Sequence, residues 1–368
     1  MRRNQVWTMV ALAVALMSLT AQGMPLCSYQ APETLLLDAT TSFSYQYFDD
    51  ANTPGTDVNT GRVDFSFSRL RDAETYGSTL RLNGLMGLSD FLPTQWMSEG
   101  TASYRYYVSS SLPLFGFGGI HGLFNTSQTQ LGLEIQSGFG FGRFGDVTPL
   151  AKAMLVDINL QKNKVTYVPL PDSVLTTMAQ TIGSLSAENS IETVVALLES
   201  IIETTTGLQL DARTLLMIED VVANSDTQRY CGFTARAGLG YELLDPYGGP
   251  QSFLLALSAD AAYAPDPNGQ MQWHLSFSGP FDVASENTLT GSFSYEVMVS
   301  DANSLEANYS FQRIQPAGGV AVTSHVVTCN WVIKVAAVDT LVGFSIARTS
   351  EDAGWSITFS LSTAMDLI

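Results

Sequence analysis

From Leu37 to Leu361 most of the chain alternates apolar with small or polar residues, in segments of roughly ten separated by short turns. A repeat of two puts successive side chains on opposite faces of an extended strand. Leu37, Ala39, Phe43, Tyr45 and Tyr47 share one parity, and Asp38, Thr40, Ser42, Ser44 and Gln46 take the other. Val63, Phe65 and Phe67 stand against Arg62, Asp64, Ser66 and Ser68, and Tyr104 and Tyr106 against Ser103 and Arg105. Leu131, Leu133, Ile135, Phe139 and Phe141 oppose Gln130, Glu134 and Gln136. The second half repeats the scheme more cleanly, from Phe233, Ala235, Ala237 and Leu239 against Thr234 and Arg236 to Trp355, Ile357, Phe359 and Leu361 against Ser356, Thr358 and Ser360. Weaker segments lie at 80–88, 114–124, 326–333 and 341–347. Counting all of them predicts six strands before residue 146 and eight after residue 226.

Soluble sandwiches and barrels alternate too, so the composition of the polar face decides between classes. A soluble sheet carries Lys, Glu, Arg and Asp on its wet face. Here that face is mostly Ser, Thr, Gly, Asn and Gln with isolated charges, as suits a crowded hydrated interior, and aromatic residues gather toward segment ends (Tyr45, Tyr47, Phe48; Tyr104, Tyr106, Tyr107; Tyr263; Trp273; Trp355). By this pattern the chain resembles Gram-negative outer-membrane β-barrel proteins in general, over roughly 260 residues in two blocks, 24–145 and 227–368. It ends Asp366-Leu367-Ile368, where such barrels commonly end in Phe or Trp. The resemblance implies an all-β transmembrane antiparallel barrel of about fourteen strands, with twelve as the alternative. It also implies a bacterial outer-membrane location, contact with outer-membrane lipid, and insertion by the barrel-assembly machinery. A soluble secreted β-protein is the competing reading.

The alternation stops near Gly145 and resumes near Thr227, and in between the period changes to 3.6. Pro149 reads as the first turn of a helix after Asp146-Val147-Thr148. Asp172 reads as the cap of a second helix, Asn189 or Ser190 as the start of a third ending before Gly207, and Asp211 as the cap of a fourth. Residues 146–226 are thus expected to form an inserted helical subdomain, either a plug in the barrel or a periplasmic module that meets a periplasmic partner protein.

Arg2 and Arg3 followed by the apolar run 9–21 and Ala21-Gln22-Gly23 read as a cleaved signal peptide over 1–23. Export fits the charge balance only in a particular way. The chain holds 17 Lys+Arg against 35 Asp+Glu for a net charge of −18, yet only 14% of its residues are charged, against about 25% in an average domain. That acidity argues against a nucleic-acid partner, and 45% hydrophobic residues exclude disorder. Charge is scarce because half of each strand faces lipid, and the insert alone carries eleven acidic and four basic residues.

Chemistry is sparse. His121, His274 and His325 show no metal-ligand spacing, and no cofactor motif is present; the run from Gly138 to Gly145 alternates glycine with aromatics and has no phosphate-binding Lys-Ser/Thr after it. In that run glycine is expected to permit close packing or bending. His274, surrounded by serines, is the sole candidate for hydrolytic chemistry, and a polar lumen residue is the simpler reading. Cys231 and Cys329 have apolar parity and read as small hydrophobes, Cys27 as a free or partner-seeking thiol. What remains are lumen-parity charges: Asp38, Arg62, Asp64, Arg105, Glu134, Arg236, Glu242, Asp260, Glu296 and Glu306. Such groups close a lumen by pairing or line an aqueous path. Seven of the ten are acidic, which predicts a preference for cations if water fills the lumen. The expected function is a narrow passive pore or transporter for small solutes, without enzymatic activity; a structural barrel that anchors the insert is the alternative.

Overall fold

The computed structural model describes residues 24–29, 31, 33–48, 58–109, 112–126, 130–185, 190–224, 228–245, 251–281, 286–300, 302–316, 319–335, 338–350 and 354–366. The signal peptide expected over 1–23 lies outside them. Fourteen strands follow one another in chain order. The first block holds β1 (Thr34–Phe48), β2 (Val58–Asp72), β3 (Tyr76–Ser89), β4 (Leu92–Tyr107), β5 (Leu114–Asn125) and β6 (Gly132–Asp146). After four helices come β7 (Tyr230–Leu244), β8 (Phe253–Tyr263), β9 (Gly269–Pro280), β10 (Asn287–Ser300), β11 (Asn303–Gln315), β12 (Val322–Val335), β13 (Val338–Thr349) and β14 (Ser356–Asp366). Sequence neighbours are sheet neighbours throughout, and β1 pairs with β14 from Thr40↔Asp366 to Phe43↔Thr363, so the sheet closes. Closure gives the first and last strands a partner on both sides, which an open sheet in hydrocarbon lacks. The twelve-strand alternative is excluded, because the weak segments are β3, β5, β12 and β13. No helix of the described residues is long and apolar enough to cross a membrane.

Registers confirm the parities. Phe43 faces Val63, Phe65 faces Gly84, and Met86 faces Trp96, all on one side; Ser42 faces Asp64 and Ser66 faces Asn83 on the other. Large apolar residues on the first side are left uncovered, among them Phe139, Phe253, Ile357, Phe359 and Leu361. Two glycines interrupt the regular pleat where the first block ends and the second begins. Gly142 (φ +111°) and Gly232 (φ +124°) both occupy backbone open mainly to glycine, and a Cβ on either would strike a carbonyl across the pair, Phe233 O and Arg143 O respectively. Gly138 and Gly140 likewise leave no room for a Cβ against the β7 backbone, the close packing expected of this run.

Two compact units are distinguished. One comprises the chain up to Ala31, Gly145–Cys231 and Tyr263–Met271; the other comprises Pro32–Phe144, Gly232–Ala262 and Gln272–Ile368. In the first, α1 (Thr148–Lys162), α2 (Asp172–Gly183), α3 (Ile191–Thr206) and α4 (Ala212–Ala223) bury Leu150, Leu160, Met178, Leu198, Ile202 and Ile218 completely. Ser190 caps α3 by accepting from Thr193 N, Gly207 ends it in the left-handed conformation, and Asp211 Oδ1 accepts from Thr214 N at 2.9 Å to cap α4. Asp172 departs from its expected role: it is the first residue of α2, with Pro171 in the capping position and no side-chain cap. Proline has the extended backbone a cap needs, so the helix starts one residue early. Arg229, fully buried, donates from Nε to Pro267 O and from Nη2 to Asn268 O, both at 3.0 Å, fastening the β8–β9 turn to the start of β7. Inside this core burial pushes the Lys152 ammonium down, partly offset by Asp146, while its Nζ donates to Val222 O at 2.7 Å. Burial pushes the Asp157 carboxyl up, against hydrogen bonds from Leu170 N and Gln161 Nε2.

The cysteine expectation is overturned. Cys27 and Cys231, 204 residues apart, form a disulfide with their Cα atoms 5.3 Å apart, and Cys329 alone remains free. Cys231 does have apolar parity and is buried beside the helical core, but the short 3-10 turn Leu26–Ser28 brings Cys27 against it. Linear spacing carries no information about a bridge that spans six strands and four helices.

Candidate functional site

The inner face of the sheet collects the charged and hydrogen-bonding residues, and register sorts them into levels counted from the end at which β6 leads into α1. At that end Asp72 on β2 has a fully covered side chain. Its Oδ2 accepts from Tyr107 Oη at 3.0 Å and lies 3.3 Å from Arg105 Nη2. Arg105 lies flat over Gly77, where any side chain would displace it, and its guanidinium carbon is 5.8 Å from the Phe115 ring centre. Tyr107 and Phe115 meet edge to face at 5.5 Å. Arg143 closes the group: its guanidinium stacks 4.0 Å from the Tyr107 ring centre and donates to Glu74 O at 2.8 Å. Residues of β2, β4, β5 and β6 thus fill this end of the inner face, and each ring and guanidinium holds the next in place.

One level further in, Arg236 on β7 donates from Nη2 to Asp260 Oδ2 on β8 at 3.0 Å, and His274 Nδ1 on β9 lies 2.7 Å from Asp260 Oδ1. Arg81 on β3 is exposed and makes no ion pair among the described residues. Arg81 and Arg105 both lie within electrostatic reach of Arg236, and Arg81 also of Asp260. Beyond this the sign changes. His121 Nε2 is 2.9 Å from Glu99 Oε1 and its Nδ1 is 3.8 Å from Glu134 Oε2, and Gln136 Nε2 donates to Glu134 at 2.9 Å. Near the far end Ser252 Oγ donates to Glu242 at 3.2 Å.

The ten residues singled out in the sequence fall unevenly on this frame. Arg105, Glu134, Arg236 and Asp260 belong to the levels just described. Arg62 and Asp64 pair with each other at 2.6 Å and are exposed. Glu296 and Glu306 stand directly opposite one another across β10 and β11, with Asn330 Nδ2 donating to Glu306 at 3.4 Å. Asp38 has a lumen position on β1, and its side chain lies outside the described ones. Sequence reading missed Asp72, Arg81, Glu99, Tyr107 and Arg143. Arg81 and Glu99 were legible, since extending the alternation through Leu80, Leu82 and Met86, and through Trp96 and Ser98, gives both lumen parity. Arg143 was not, because strict alternation puts it with Phe139 and Phe141, and the irregularity at Gly142 turns it inward. No cluster of three metal-ligating side chains occurs among the described residues.

No family model matches the chain, and no curated protein does. Among solved structures it is similar to a BenF-like porin from Pseudomonas fluorescens Pf-5 at 8% identity, covering 92% of this chain and 99% of that one, with a TM-score of 0.34. It is also similar to the CymD monoaromatic hydrocarbon channel (10% identity, 93% and 90% covered, TM-score 0.30) and to a mutant Rh. blastica porin (9% identity, 91% and 100% covered, TM-score 0.28).

Proposed function

We propose that the chain is an outer-membrane β-barrel acting as a narrow pore or passive transporter for small solutes. The observation that carries this reading is the closed antiparallel sheet with uncovered apolar residues on one face and hydrogen-bonded charges on the other. Large aromatic and aliphatic side chains such as Phe139 and Phe359 are left uncovered, a costly arrangement in water and a stable one against lipid tails. On the opposite face, charges spaced along the barrel axis suit stepwise passage of a polar solute rather than a single tight site. The helices supply a gate, plug or docking module in this reading.

Purified full-length protein in planar bilayers is expected to give discrete conductance steps, and its unboiled band on a denaturing gel is expected to migrate apart from the boiled one. A folded, heat-modifiable barrel that passes no ions at any voltage, with 146–226 present or deleted, would exclude the pore. A second reading, a barrel that anchors the helical unit, is favoured by the tight packing of Asp72, Arg105, Tyr107 and Arg143, which ties one end of the inner face together.

A further inference from the structure

We propose that Arg313, His325 and Arg348 form a docking surface for a diphosphorylated glycolipid of the outer leaflet, with its phosphates on this basic rim and an acyl chain in the apolar groove beside it. This rests on the reading of the uncovered face as lipid-facing and names the lipid that the face would select. The three residues lie at the strand ends far from α1, the ends that meet the outer leaflet when the helical insert is on the periplasmic side.

Register shows which strand residues share the outer side of the wall. Among the described residues that side carries no Asp, Glu or Lys, and its basic residues sit only near strand ends. Arg69 and Arg71 lie on β2 at the end nearest α1, where Arg71 pairs with Glu33. The other three share the opposite end on adjacent strands. Phe311 on β11 faces His325 on β12, His325 faces Arg348 on β13, and Arg313 stands one outward position beyond Phe311, opposite Leu289. Strands about 4.8 Å apart spread these positions over roughly 10 Å of the rim, wide enough for two phosphates of one lipid. A guanidinium on a lipid-facing surface is costly at mid-depth and tolerated near the interface, where phosphate supplies acceptors in the geometry it matches. Aromatic neighbours hold the group in place. Arg348, exposed, lies 5.7 Å from the Trp355 ring centre. His325 packs against Phe311 at 5.2 Å with its Nδ1 3.0 Å from Tyr309 Oη, so Nε2 is the nitrogen that meets a ligand. Arg313 donates to two neutral acceptors, Asn287 Oδ1 at 2.9 Å and Gln315 Oε1 at 3.1 Å, and keeps its charge. The groove begins beside this cluster. Phe311, Tyr309, Phe293, Trp273 and Leu275 line about 550 Å³, and Gly291 forms the floor, where a Cβ would meet Leu275 at 3.6 Å and Phe311 at 4.0 Å. Phe293 and Tyr309 face each other one outward pair further toward mid-depth, the course an acyl chain takes from a phosphate held at the rim.

The full chain folded in a neutral detergent is titrated with diphosphoryl lipid A, with phosphatidylglycerol and with phosphatidylcholine, and bound lipid is counted by native mass spectrometry. Lipid A is expected to bind most tightly, weakened about fivefold by Arg313→Gln and by Arg348→Gln, retained in part by Arg348→Lys, and unchanged by Arg81→Gln, an exposed arginine of the inner side. Gly291→Leu, which fills the groove floor, is expected to weaken lipid A while leaving inorganic phosphate unable to compete at equal concentration. Glu351 and Asp352, shortly after Arg348 in the chain, lie outside the described residues. Changing them to Gln and Asn is expected to leave or raise the affinity, and a loss would mean that they, not the arginines, hold the lipid. The unboiled gel band checks that each variant is folded. Equal binding of phosphatidylglycerol would overturn the two-phosphate assignment, and equal loss on Arg81→Gln, or full competition by inorganic phosphate, would overturn the docking surface. A folded, conducting wild type without lipid preference removes this site and leaves the pore. A wild type that does not insert into vesicles removes the lipid-facing reading on which both rest.

Discussion

Phe359 on β14 leaves 80% of its surface uncovered and Leu198 on α3 leaves none, although both sit in regular apolar stripes of the same chain. The wall and the helical unit use opposite polarity because they solve different problems. Helices satisfy their own backbone, so α1 to α4 need only bury a stripe, and they do it against each other around Leu160, Met178 and Ile202. Strands satisfy their backbone only by pairing, and fourteen of them close into a wall whose small inner face is crowded with Ser, Gly and charged residues while its large face carries the apolar side chains. The comparison teaches that hydrophobicity alone does not locate a core. Period does: at 3.6 the apolar face turns toward protein, and at two, with an uncharged polar face opposite, it turns toward lipid.

The sharpest way to break this contrast is to remove what holds only one of the two regions. Changing both Cys27 and Cys231 to Ser is expected to destabilise the helical unit by about 2–5 kcal/mol, seen as a lower denaturation midpoint of the 222 nm circular dichroism signal, with the heat-modifiable band of the wall retained. Loss of that band as well would mean that the two regions fold as one. Leu198→Ala is expected to cost roughly 2–5 kcal/mol in the same melt, because it opens a cavity in a fully packed site. The same truncation at Leu361 on the wall should cost under about 1 kcal/mol, because lipid tails fill the space. Similar costs at both positions would contradict the outward-facing assignment.

Phe359→Arg tests that assignment from the other side. If Phe359 meets lipid, the change costs about 2–4 kcal/mol in vesicles, measured as a shift in the urea midpoint for loss of the folded band; a neutral result would mean the face is wet. Ser190→Ala should take about 1 kcal/mol from α3 through loss of the Thr193 cap and leave the wall unchanged. The smallest effect concerns pH. Hydrogen bonds from the Thr214 hydroxyl and then its backbone amide hold the Asp211 carboxyl below the usual range. A depressed carboxyl stabilises the folded form above its unfolded pKa, and that contribution is lost as pH falls through the folded value. Hydrogen exchange at the first amides of α4 should therefore quicken below about pH 4, and Asp211→Asn should flatten the dependence.

Most of the wall was legible because its alternation repeats and closure demands an even set of strands. Even the weak segments 114–124 and 341–347 became β5 and β13 once a neighbour on each side needed a partner. The helical starts at Ser190 and Asp211 were legible because a cap is a local hydrogen bond. The inner face was legible only by parity. Parity named Arg105, Arg236 and Asp260, but it said nothing of which inner-face residues meet, and so hid the pairing of Arg105 with Asp72 and of Asp260 with both Arg236 and His274.

Sequence alone determined the strand period, the four-helix interruption and the sign of the overall charge, since each depends on residues close together in the chain, while the choice of fourteen strands over twelve came with closure of the sheet. Only the tertiary structure decided that Cys27 reaches Cys231, that Gly142 turns Arg143 inward onto Tyr107, and that Arg105 and Tyr107 enclose Asp72. Those outcomes depend on distances between segments tens to hundreds of residues apart. Closing the sheet sets such distances all at once, and no local pattern encodes them.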